Sequence, residues 1–97
     1  MGRLVIQVVS VKGHCPVYKV GDKIVLDEGY KLNLEETTAV CMHSLASIMP
    51  YYVALYRGVP PSDLGLGRGE RAYVQCLDPC HITGGGTVLF EIRREPG

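Results

Sequence analysis

Apolar and polar positions alternate from Arg3 to Lys12. On an extended chain Leu4, Ile6 and Val8 fall on one side, and Val5, Val9 and Val11 on the other. Two largely apolar sides suit a central strand that is well covered on at least one of them. Gly13-His14-Cys15-Pro16 ends the run, because glycine and proline punctuate turns. Lys19-Val20-Gly21-Asp22 reads as a turn into a second strand, Lys23 to Leu26, and Asp27 to Lys31 as a polar connection.

The period then changes. Cys41, Leu45, Ile48 and Met49 recur at helical spacing and share one face. Asn33-Leu34-Glu35-Glu36 has the spacing of a capping box, which would start the helix early. The adjacent β-branched Thr37 and Thr38 sit poorly inside a helix, so a later start, capped by one of them, is expected. Pro50 lacks an N–H and crowds the preceding turn; it kinks the helix or opens a second one. Tyr51 to Arg57 completes that piece, and Gly58 is a natural C-terminal cap.

Val59 to Glu70 carries Pro60, Pro61, Gly65, Gly67 and Gly69 and reads as the longest loop. Arg71 to Cys76 alternates again, with Ala72, Val74 and Cys76 on one face. Leu77-Asp78-Pro79 turns the chain, and Gly84 to Gly86 forms a flexible bend. In Thr87 to Arg93, Val88, Phe90 and Ile92 point to a core, while Thr87, Glu91 and Arg93 point away. The expected class is therefore α+β. The expected architecture is a four-stranded antiparallel sheet in ββααββ order with two helices packed on one face, a single domain over residues 1–97.

Charge narrows the classes. Ten Lys and Arg balance ten Asp and Glu. No nucleic-acid partner is expected of a neutral chain without a basic run, since such binding draws on counterion release from a basic face. No apolar stretch approaches a membrane span, and Met1-Gly2-Arg3 leads directly into the first strand without the apolar segment of a signal peptide. A cytoplasmic protein without membrane contact is expected. In that setting the four cysteines read as free thiols, metal ligands or redox groups rather than a disulfide framework.

Cysteine and histidine meet in three places: His14-Cys15, Cys41-Met42-His43 and Cys76-Leu77-Asp78-Pro79-Cys80-His81. Soft thiolates and imidazoles are the donors zinc takes, three or four in a tetrahedron. The spacing is no known zinc pattern, and Cys41 and His43 would point to different sides of a helix. The plain alternative is that Cys41, in phase with Leu45 and Ile48, and Cys76, in phase with Ala72 and Val74, are small core residues. A reactive thiol is the third reading, with Cys41 in the first turn of its helix. His14 and His81 fall in loops; Asp22 and Asp78 sit in turns, where Asp is favoured for its own backbone bonds. Tyr51, Tyr52 and Tyr56 suit a core edge. The glycine run at 84–86 lacks the following helix of a phosphate loop.

Cys15-Pro16-Val17-Tyr18-Lys19-Val20-Gly21-Asp22, the helical run Val40 to Ala46 leading to Pro50-Tyr51-Tyr52, and Val74-Gln75-Cys76-Leu77-Asp78-Pro79 together resemble a family of small uncharacterised prokaryotic proteins. The resemblance runs from about Val5 to Arg93. It implies that Cys15, Cys41 and Cys76 are the family-type cysteines, and that Cys80 is a departure. It brings no activity with it. The leading expectation is a thiol-centred site, metal-binding or redox, formed by Cys15, Cys41 and Cys76, with His43 and Cys80 as additional candidates and zinc as the candidate ion. The alternative is a protein-interaction module acting as a homodimer. An enzyme with a cysteine nucleophile ranks below both, because no base with an orienting partner is visible.

Overall fold

The computed structural model describes residues Gly2 to Pro96. It is α+β, built on one antiparallel sheet of six strands, and this corrects the four-stranded ββααββ expectation. The strands are β1 (Gly2–Gly13), β2 (Lys23–Asp27), β3 (Lys31–Leu32), β4 (Gly67–Arg68), β5 (Arg71–Gln75) and β6 (Gly86–Pro96). The spatial order is β3-β2-β1-β6-β5-β4, so the two longest strands lie side by side in the centre. The helices are α1 (Met42–Ile48), α2 (Tyr52–Tyr56) and the single turn α3 (Cys80–Thr83); a 3-10 turn spans Pro61–Leu64.

The two extra strands are two residues each, too short for any alternation to be read. β3 forms because the 27–31 connection is a tight turn that folds Leu32 back opposite Leu26. Gly29 is at φ +81° and lies against the ring of Tyr56, where no Cβ fits. β4 forms inside the expected long loop, where Gly67 pairs with Ala72 and Arg68 with Arg71.

The helix starts later than either expectation. Asn33 does cap, but it caps a turn: its Oδ1 accepts the N–H groups of Glu35 and Glu36. Thr37 and Thr38 then lie along β2 instead of opening a helix. The Thr37 hydroxyl accepts the Val25 N–H, and the Thr38 N–H donates to the Lys23 carbonyl. Two β-branched residues find a strand edge, which suits them better than a helical turn. α1 begins only after Cys41, its N-cap residue. Its buried side chains are Ser44 and Ile48; Leu45 is half-buried and Met49 exposed, so the expected helix face is turned by part of a revolution.

A β-bulge decides which β1 residues are core. Val8 pairs with Phe90 but Ser10 pairs with Leu89, which leaves Val9 as an extra residue. One extra residue reverses the alternation beyond it. Val11 therefore turns toward the helix-bearing side, opposite Val88, while Val9 is exposed. The core on that side comprises Leu4, Ile6 and Val8 of β1, Ile24 of β2, Ala72 and Val74 of β5, and Val88, Phe90 and Ile92 of β6, closed over by Ile48 and Leu55. The other face carries Val5 and Val25, both fully buried, beneath a row of alternating charges. Lys23, Glu36, Arg3, Glu95, Arg93, Glu91 and Arg71 pair in succession across the strands. Among the described residues no helix is long and apolar enough to cross a membrane.

Candidate functional site

The loop between β1 and β2 returns over the end of the core that faces α1. It can do so because Gly86, where β6 begins, has no side chain: a Cβ there would sit 2.7 Å from the Cys15 nitrogen. The Lys19–Asp22 turn closes the loop, with Asp22 Oδ2 accepting the Lys19 N–H at 3.0 Å and Asp22 Oδ1 paired to Lys19 Nζ. Between these anchors Tyr18 is driven inward. It is buried, and its ring meets Phe90 edge-to-face with centroids 5.4 Å apart.

The Tyr18 hydroxyl organises the start of α1. It accepts the Cys41 N–H at 2.7 Å, and it lies 2.9 Å from the fully buried Ser44 Oγ. Ser44 commits its own proton to the Cys41 carbonyl at 2.7 Å, so Tyr18 donates to Ser44. The three residues close a ring of hydrogen bonds in which each hydroxyl both donates and accepts. Cys41 makes no side-chain cap, and the tyrosine supplies an acceptor for its backbone instead. Burial, above all, pushes the Tyr18 phenol above its ordinary pKa, and thiolate charge on Cys41 or Cys15 would push it the same way.

The expected site residues are distributed around this tyrosine and beyond it. Cys15 is half-buried at the loop's start, and its Sγ accepts the Tyr18 N–H at 3.4 Å. Cys41 is half-buried at the tyrosine's other end. Cys76, just after β5, is buried in the same core cluster, against which Cys15 and Cys41 both pack. All four cysteines are free thiols. His43 is exposed on α1. Cys80 opens α3 beside the end of β1, where its sulfur would lie 3.5 Å from a Cβ at Gly13. Cys80 and Cys76 both line a cavity of about 350 Å³ shared with Lys12, Asp78 and His81. Among the described residues no group of three or more His, Cys, Asp or Glu side chains is disposed to hold a metal ion.

Sequence reasoning passed over Tyr18 and Ser44. Tyr18 had a visible signal, an aromatic residue placed between a Cys-Pro and a Gly-Asp turn with no strand to belong to. Ser44 had none, since a serine between helical apolar positions ordinarily faces water. No family model, curated protein or solved structure matches this chain.

Proposed function

We propose that this is a small thiol-centred domain whose working groups are Cys15 and Cys41, with Cys76 as the buried third member of the set. The observation that supports this reading most is the placement of Cys15 and Cys41 at the two ends of one buried tyrosine, Cys15 Sγ accepting its backbone N–H and the Cys41 N–H donating to its hydroxyl. Redox chemistry is the branch retained. Zinc requires three or four ligands, and the described residues offer no such group.

The chemistry is thiol–disulfide exchange. One thiolate attacks a small-molecule disulfide, forms a mixed disulfide and expels a thiolate. The second protein thiolate displaces the remaining half. Two protein thiols are oxidised, one external disulfide is reduced to two thiols, and the two protons pass to those products. The test is stoichiometry. Reduced protein mixed with glutathione disulfide should release two glutathiones per chain, and Cys15→Ser or Cys41→Ser should each lower that to one. Release that is unchanged in both variants would overturn the reading.

A second reading, the homodimeric interaction module, is favoured by the outer side of the helical layer. Met42, Met49 and Val53 are 73%, 55% and 53% exposed there. Exposed apolar groups gathered on one layer suit an interface. Sedimentation should then show a dimer that Met49→Lys dissociates; a monomer at all concentrations would remove this reading.

A further inference from the structure

β1 is a central strand, yet its far end is paired on one side only. β2 leaves it at Val8, whose N–H donates to the Asp22 carbonyl at 2.8 Å and whose carbonyl accepts the Gly21 N–H at 3.0 Å. Beyond the bulge, Ser10 to Gly13 pair with β6 alone. Two bonds fix which way the backbone groups point there. The His14 N–H donates to the Gly85 carbonyl at 3.2 Å, so Ser10, Lys12 and His14 turn their groups toward β6. The Val88 carbonyl, opposite Val11, accepts instead from the Cys76 N–H at 2.8 Å, on the β5 side. Val11 and Gly13 therefore present N–H and C=O to the side that β2 has vacated. Among the described residues these groups have no hydrogen-bond partner.

This notch is open to solvent. Lys12 and Gly13 are exposed, and so are Val9 and Val20 where β2 departs. The loop after β1 crosses the helix-bearing side, with the Cys15 backbone over Gly86 and Tyr18 against Phe90, and does not run along the free edge. Unpaired N–H and C=O groups on a strand edge are a template for an added strand. In antiparallel addition Val11 and Gly13 would each exchange both bonds with one residue of the incoming segment. Lys12 would fall in the intervening non-hydrogen-bonded pair, where facing side chains come closest.

The residue opposite Lys12 therefore decides what fits. Among the described residues Lys12 enters no ion pair. Asp78 and His81 line the cavity beside it, but the Asp78 carboxylate accepts the Thr83 hydroxyl. Lys19, in the loop above, is paired with Asp22. A second copy of the chain in this register would set Lys12 against Lys12, a repulsive cross-strand pair. A carboxylate makes the favourable one.

We propose that the notch takes an extended peptide segment as an added antiparallel strand, with an acidic residue of that segment opposite Lys12. The surface is separate from the thiols and does not depend on their chemistry.

The test titrates isotopically labelled protein with the peptide acetyl-Thr-Val-Glu-Val-Thr-amide, following the amide resonances of Val11 and Gly13. Both should shift saturably. Gln in place of the central Glu should weaken binding by about twofold to fivefold, the worth of one cross-strand ion pair, and Lys should weaken it further. N-methylation of the two peptide valines removes the donors and should abolish binding. Lys12→Glu, at an exposed position, should leave the rest of the spectrum in place and reverse the order, so that the Lys peptide binds best. No saturable shift at Val11 and Gly13, equal affinity for the three central residues, or an unchanged order in Lys12→Glu would each overturn the proposal. So would shifts at Val11 and Gly13 that follow protein concentration alone, which would give the notch to a second copy.

Discussion

The two faces of the sheet are held by different physics. The helix-bearing face is closed by apolar packing: Phe90 and its neighbours are fully buried, and the polar groups admitted there, Tyr18 and Ser44, satisfy one another. The opposite face buries Val5 and Val25 under paired side chains of alternating sign, most of which remain partly in water. Dispersion and water exclusion act over short distances and are not weakened by charge screening; exposed ion pairs are screened and individually weak. The contrast teaches that stability belongs to the first face, while the second face sets register by matching Arg3 to Glu95 and Gln7 to Glu91 across neighbouring strands.

Substitutions in order of decreasing effect probe that contrast. Phe90→Ala should be the most damaging, at about 3–5 kcal/mol as for other buried aromatics, measured by urea unfolding. A loss near ~0.5 kcal/mol, the scale of surface changes, would mean the core is centred elsewhere. Tyr18→Phe should cost about 1–3 kcal/mol, because it takes the acceptor from the part-buried Cys41 N–H and a donor from Ser44 while leaving the ring packing intact. A neutral outcome would show that the hydrogen-bond ring is incidental. Arg3→Gln should cost less than either, and the difference from the parent should shrink as salt is added. A cost as large as that of Phe90→Ala, or one indifferent to salt, would put the ladder among the main supports of the fold.

The smallest effect is in pH. Arg93, and then Arg3, hold the Glu95 carboxyl below its ordinary range. A depressed folded-state pKa contributes stability that is complete above the unfolded value, about 4.3 for glutamate, and is lost as pH falls through the folded value. Stability should therefore begin to decline below about pH 4, and Glu95→Gln should flatten that part of the curve. An identical acid profile in the variant would remove Glu95 as a contributor.

How far the fold was legible followed the range of the forces involved. β6 could be read because Val88, Phe90 and Ile92 alternate with polar residues and nothing interrupts them. β1 could be read as a strand along its whole length, but the facing of its far half could not, because the bulge at Val9 depends on pairing with β6 and leaves no local mark. β3 and β4 were missed because two residues carry no period, and the late start of α1 was missed because the partner of Thr37 and Thr38 is β2, a strand already passed. At the candidate site the cysteines were visible as residue types. What joins Cys15 to Cys41 is Tyr18, whose burial depends on Phe90, more than seventy residues away in the chain.

The most direct test of the thiol reading is the identity of the bond that forms on mild oxidation. Reduced protein treated with glutathione disulfide, blocked, digested and mapped by mass spectrometry should yield a peptide pair joined through Cys15 and Cys41, with Cys76 and Cys80 recovered as free thiols. Recovery instead of a Cys76–Cys80 pair from the cavity those two share, or of four free thiols, would contradict it.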